Sequence, residues 1–370
     1  MDPLLLAAQL TLGVLGVVGV AAATPGEWQA HLARVLIALV VTALVARVTP
    51  QRIVKLSPVF CVAVLGLLVA VLFFGVAPDG SVARRWLDLH FFVLQPSELM
   101  KVAVIGYLTA FFYNHPENWQ IWRPMLIVGL AVGLIAAEPN ISTALFILLL
   151  GLAVMVAAGT SLKRLLGVGV PALLIAAVLA VPYLNTQYSY IGERFTGFLD
   201  RRGAQELTQD AGYQAAQAEQ HLKRGGFFGI GTGQPFYLPA HNTDMIAISI
   251  GRSLGLVGTT TLFALYLLIA LRGVKIASSM GGPGAILAAG ATTYICGQAA
   301  LNLLVAGGLL PVTGVPLPFV SHGFNSLISV GMAMGLIQSA YRSTRAARAR
   351  ETPARSGADA EGALVRQAGA

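Results

Sequence analysis

Two places in this chain put charge where an apolar sequence has little use for it. In LPAHNTDMIAISIGRSLG, residues 238–255, a polar stretch turns into a membrane-like apolar run, with Asp244 at the junction and Arg252 eight residues further in. In LQPSELMKVAVIGYLTAFF, Lys101 lies one turn into an apolar segment that Glu98 opens. Ionisable groups at membrane depth are costly and usually functional. The chemistry open to such a set is acid–base work: a carboxylate held ionised by a nearby ammonium is ready to accept a proton. Plainer readings stand beside it. Asn242 or Thr243 can cap a helix, with Asp244 as a first-turn acid complementing the dipole. Ser97 can cap the second segment, with Glu98 in its first turn. Lys101 then finds a carboxylate either in Asp244, at matching depth, or in Glu98, at i, i+3.

Other groups could meet a substrate. Arg84, Arg85 and Trp86, in SVARRWLDLH, read either as an interfacial aromatic with basic neighbours or as a cationic patch for a diphosphate, whose oxygens pair well with arginine. Arg252 lies roughly 12 Å below Asp244 at helical rise and on about the same side; it is either a structural charge or a further contact. Gln95, Ser97, His241, Thr243 and Ser321 are polar groups in or beside the same stretches. Gln298 and Asn302 share one face of a span as interhelical glue. LLPVTGVPLPFVSHGFNS, with prolines at 311, 316 and 318, reads as a broken lead into the last span. Such backbone survives at membrane depth only when buried in protein or lining a cavity.

The elements that position these residues follow from composition. Of 370 residues, 56% are hydrophobic and 11% charged, against about 25% charged in soluble domains. Apolar runs of about 20 residues recur throughout, without the period-2 alternation of barrel strands, so the chain reads as an all-α polytopic membrane protein. Ten spans are expected near 4–22, 31–48, 57–76, 98–114, 123–138, 141–159, 164–184, 244–271, 283–306 and 318–341. The first span follows no basic n-region and is not read as a cleaved signal peptide. Lysine and arginine gather in alternate connections (Arg47, Arg52 and Lys55; Lys163 and Arg164; Arg272 and Lys275) and after the last span, which places both termini in the cytoplasm. The longest connection, about 185–243, then faces outward and holds a helical stretch ending at Gly225-Gly226. Residues 1–342 form the transmembrane domain, and 343–370 read as a disordered cytoplasmic tail. The net charge of +8 is topological and gives no nucleic-acid signal. Cys61 and Cys296 sit in apolar runs, which argues against disulfides and cysteine metal sites. GIGTG has neither the spacing nor the preceding strand of a dinucleotide fingerprint.

Taken in order, several stretches resemble the SEDS family, the RodA and FtsW proteins of bacterial cell-wall synthesis. They are ARRWLDL (83–89), QPSELMK (95–101), AGTSLKRLLG (158–167), RFTGFLD (194–200), GYQ (212–214), GGFFGIGTG (225–233), LPAHNTD (238–244), LGLVG (254–258) and GLLPVTGVPLPFVS (308–321). The step from GIGTG to LPAHNTD is somewhat more FtsW-like. The resemblance implies a peptidoglycan glycosyltransferase of the bacterial inner membrane. It would use lipid II, a disaccharide peptide on undecaprenyl diphosphate, and work with a class B penicillin-binding protein among the divisome or elongasome proteins. The family's essential aspartate falls on Asp244, and the lysine contacting it on Lys101. Glu98 would tune the base, and Arg84, Arg85 and Trp86 would meet substrate. No resident cofactor is identified and metal ligands are unassigned; a divalent cation, Mg or Mn, is an alternative source of charge for the leaving diphosphate. The chain departs from the family's usual residues at Arg252-Ser253, where an acidic pair is common. It departs again at Asn140, where aspartate is common, and over 321–326, where SHGFNS replaces Ser-Tyr-Gly-Gly-Ser-Ser. Rival readings are a lipid II flippase and a non-catalytic scaffold for the penicillin-binding protein.

Overall fold

In lipid each backbone group must find its partner within the protein, which favours helices, and the computed structural model of the chain is a helical bundle. It describes residues 1–77, 84–115, 121–167, 169, 211–233 and 243–368. The helices are α1 (Pro3–Ala23), α2 (Trp28–Arg47), α3 (Pro50–Phe74), α4 (Pro96–Asn114), α5 (Trp122–Ala137), α6 (Ile141–Ala157), α7 (Ala211–Gly225), α8 (Ile246–Ser278), α9 (Pro283–Ala306) and α10 (Phe324–Ala368). Five of them, α1, α2, α3, α8 and α9, are long and apolar enough to cross a membrane; α5 and α6 are shorter apolar helices. Every expected span except the seventh meets one of these helices. Of the seventh, expected over 164–184, residues 164–167 and 169 are described and helical; the rest of it and most of the 185–243 connection lie outside the described residues. The last helix starts at Phe324 rather than 318, because the proline-bearing backbone before it is not helical, and it runs on to Ala368. A two-residue hairpin, β1 (Leu87–Asp88) with β2 (Val93–Leu94), is the one sheet among the described residues.

The helix α4 is the bundle's centre. A helix apolar on all sides belongs in the interior, and Met100, Ala103, Val104, Ile105 and Leu108 of α4 are fully buried. It packs against α3, α6, α9 and α10. At one end of the bundle Asp2 caps α1, accepting from the Leu4 and Leu5 amides, and also pairs with Arg272 of α8. Its own amide donates to Gln338 of α10 at 2.6 Å. At the same end Arg342 donates to Ala46 O near the close of α2.

The span expected as one helix over 244–271 is broken. At Gly255 the backbone adopts φ +66°, ψ −155° inside α8, a conformation that glycine tolerates best. The break frees carbonyls and amides that lipid could not satisfy, and the glycine-rich turn after α7 satisfies them. Ile230 and Gly231 amides donate to the carbonyls of Arg252 and Ser253 at 3.1 and 3.0 Å. The amides of Leu256 and Val257 donate to Gly226 and Phe227 at 2.9 and 3.2 Å. The fit leaves no room for side chains: a Cβ on Gly229 would lie 2.1 Å from Ser253 O, and one on Gly225 2.2 Å from Gly251 O.

Candidate active site

At the end of the bundle away from Asp2, where α2 begins, the helices and connections enclose a cavity of about 1360 Å³. Arg34 of α2 lines one part, the hairpin with Arg85, Trp86 and Asp88 another, and Glu98 of α4 a third. Pro139 and Asn140 between α5 and α6, Thr243 and Asp244 before α8, and residues from Pro311 to Pro316 complete the wall.

Asp244 is half-buried in a turn ahead of α8, which opens at Ile246 with Met245 at the cap position and no acid in its first turn. Asp244 thus stands one residue ahead of the cap rather than in the first turn. Its turn is pinned from two sides. Asn302 of α9 donates to Asp244 O at 2.7 Å, and Ser321 Oγ donates to Thr243 O at 2.7 Å. Asn302 also donates to Val315 O at 2.7 Å, and Ser321 Oγ accepts the Leu317 amide at 2.7 Å. The irregular segment before α10 and the turn bearing the carboxylate are thus locked to each other by two buried side chains. Gly314, at φ +74°, faces the carboxylate; a Cβ there would sit 3.6 Å from Asp244 Oδ2. These supports fix the main chain from which the Asp244 side chain extends at the cavity wall.

Lys101 is 1% exposed and lies behind the cavity wall. Among the described residues the carboxylate at its ammonium is Glu98, with Nζ to Oε1 at 2.6 Å, and Gln298 Oε1 accepts at 2.8 Å. The rings of Tyr294 and Phe146 lie 5.4 and 5.7 Å from Nζ. Of the two partners open to Lys101 from sequence, the structure places Glu98 at this distance, because both sit on one helix a turn apart. Glu98 Oε2 accepts from Ser329 Oγ at 3.2 Å, and Ser329 meets Tyr294 Oη at 2.6 Å. Gln298 Nε2 donates to Pro316 O at 2.9 Å. A chain of contacts therefore runs from Lys101 through Gln298 to the segment that faces Asp244.

The other sequence candidates divide. Arg85, Trp86, Gln95, Glu98 and Thr243 line the cavity with Asp244; Ser97 and Ser321 are buried behind it; Arg84 is exposed and outside the lining. Arg252 lies at the α8 break, its carbonyl taken by the glycine turn, and is not among the lining residues. His241 lies outside the described residues. Ser97 does not cap α4, which opens on Pro96 with Gln95 at the cap position; proline needs no partner for the amide it lacks. Sequence reasoning passed over Arg34 and Glu138. Arg34 looks like an ordinary charge near a span end, and nothing in its neighbours signals a cavity. No group of three or more His, Cys, Asp and Glu side chains forms a metal cluster among the described residues.

Glu138 follows the last residue of α5 and is 1% exposed. Neither Oε has a hydrogen-bond partner among the described residues. Arg85 Nε donates to its carbonyl at 3.1 Å, and the same guanidinium reaches Pro139 O.

A bundle of apolar helices with a half-open cavity at one end, and with Asp244 and guanidinium groups in that cavity's wall, is the build of a polytopic membrane protein. The chain belongs to the FtsW/RodA/SpoVE family, whose family model, described as cell cycle protein, matches residues 6–346. It is 33% identical over 281 residues to the probable peptidoglycan glycosyltransferase FtsW of Geobacter sp. (strain M18), covering 73% of this chain and 74% of that one. It is 31% identical over 354 residues to the peptidoglycan glycosyltransferase MrdB of Escherichia coli (strain K12), covering 92% and 93%. Among solved structures, a chain from work on structural coordination of polymerization and crosslinking by a peptidoglycan synthase complex superposes with TM-score 0.76 at 26% identity. That match covers 92% of this chain and 97% of the other.

Proposed function

We propose that the protein is a peptidoglycan glycosyltransferase that polymerises lipid II into glycan strands at the outer face of the bacterial cytoplasmic membrane. The observation that carries the reading is Asp244, a carboxylate in the wall of a cavity it shares with Arg85, on a turn whose main chain Asn302 and Ser321 hold. The relatives' names supply the reaction class. In that reaction Asp244 takes the proton of the acceptor sugar's 4-hydroxyl while its oxygen bonds to the donor's anomeric carbon. The bond from that carbon to the diphosphate oxygen breaks, and the electron pair leaves with undecaprenyl diphosphate. Arg85 stabilises the charge that builds there. Lys101 holds α4 to α9 and, through Gln298, to the segment opposite the base, while Glu98 holds α4 to Ser329 of α10.

The distribution of Lys and Arg supports both termini in the cytoplasm, with the cavity end outward. The likeness to a chain of a peptidoglycan synthase complex supports a class B penicillin-binding protein as partner. The test gives purified protein, alone and with its transpeptidase partner, labelled lipid II and separates products on a gel. Glycan polymer is expected. Folded protein that yields none under either condition would remove the reading and leave the flippase or scaffold role.

A further inference from the structure

The cavity wall holds two basic side chains, Arg85 and Arg34, on different elements. Arg34 is half-buried on α2. Its Nη1 donates to His322 O at 3.0 Å and contacts His322 Nε2. Both acceptors are neutral, and no ion pair of Arg34 is found among the described residues. The nearby carboxylate, Glu27, lies 3.5 Å from the same Nε2 and is half exposed; Arg34 uses one nitrogen on His322 and, in the cavity wall, keeps donors that a bound anion can take.

His322 is arranged to hold this guanidinium. An arginine carries only donors, so Nε2 must present its lone pair, which puts the ring proton on Nδ1. Nδ1 is buried and without an acceptor among the described residues. Glu27 Oε2 lies 3.5 Å from Nε2, and the ring of His31 lies 5.3 Å from that of His322. These groups, all from α2 or the residue before it, surround His322 at the foot of α10. The contact joins residues 288 positions apart, so the packing of α2 against α10 sets where Arg34 points.

We propose that Arg34 is a second cationic contact for the donor's diphosphate, acting from α2 on the cavity that Arg85 also lines, and that His322 is its positioning residue. The proposal rests on the lipid II reading and names a residue that reading does not use. A diphosphate spreads its charge over several oxygens, and guanidinium groups on separate walls can meet both phosphoryl groups with forked hydrogen bonds.

The test measures binding of polyprenyl diphosphate in detergent to the full chain and its variants, beside KM and kcat with lipid II. Arg34→Gln is expected to weaken diphosphate binding roughly 10- to 100-fold, the range for losing a hydrogen bond to a charged group. Arg34→Lys, which keeps the charge and loses the fork, falls between. His322→Phe is expected to raise KM several-fold with little change in kcat, and His322→Gln, whose amide oxygen can accept from Arg34, recovers most of that loss. Wild-type affinity for Arg34→Gln would overturn the proposal while leaving the polymerase reading intact; so would equal KM for both His322 variants. Wild type that binds the diphosphate through Arg34 yet makes no glycan would keep this site and remove the reaction. If Arg34→Gln does not fold, Arg34→Lys decides, and an affinity unchanged from wild type overturns the proposal.

Discussion

Asp244→Asn is expected to lower glycan polymerisation from lipid II by about 10²- to 10⁴-fold, the span that a positioned general base contributes. The change keeps the shape of the side chain and removes its basicity. The turn itself is held through main-chain carbonyls, by Asn302 on Asp244 and by Ser321 on Thr243. Melting in detergent, measured beside activity, separates loss of basicity from loss of fold. KM for lipid II should move little, because the proton transfer is made only on the way to the transition state. A variant that polymerises at near wild-type rate would end the assignment of Asp244 as base. A variant that loses activity only by unfolding would show the carboxylate to be structural.

The second large effect is on stability and lies at Lys101. The Lys101–Glu98 pair is buried on both sides, with side-chain exposures of 2% and 4%. Removing one partner of such a pair leaves an uncompensated charge in a dry interior and typically costs about 3–5 kcal/mol. Lys101→Met should therefore be strongly destabilised, as should Glu98→Gln. The double variant Lys101→Met/Glu98→Gln removes both charges and should regain much of that loss, giving a large coupling in a double-mutant cycle. Activity should not return with stability in the double variant. Lys101 also anchors Gln298, and Gln298 holds Pro316 O beside the segment facing Asp244. Additive single-variant losses would show that the pair is not the unit described. Full activity in a stable double variant would show that the link to the Asp244 turn carries nothing.

Much of the candidate site was legible because charge in an apolar chain is conspicuous. Lys101 stands out within an apolar run, Asp244 and Glu98 at the start of one, and Arg85 in a connection between spans; the penalty for burying them is a property of the residue type alone. What they touch was less legible. The ammonium of Lys101 had two carboxylates within plausible reach, and only the direction of the α4 side chains decided for Glu98. Arg252 reads as standing on the same helix as Asp244, and α8 is indeed continuous from Ile246 through Arg252. What the sequence did not show is the break just beyond it at Gly255, where the glycine turn docks on the Arg252 carbonyl. A glycine is compatible with helix and with break alike, so its sequence position does not announce which will occur.

The sequence by itself determined that the chain crosses a membrane as helices, where most of those helices run, and which residues are too costly to be ornamental. Those features depend on local quantities: run length, residue polarity and the bond from each amide to the carbonyl four residues before it. The tertiary structure alone decided the cavity, the two side chains that fix the Asp244 turn, and the meeting of Arg34 with His322. These contacts join positions far apart in the chain. Between apolar helices in lipid no periodic hydrophobic stripe marks the facing surfaces; close packing and a few polar pairs select the partners.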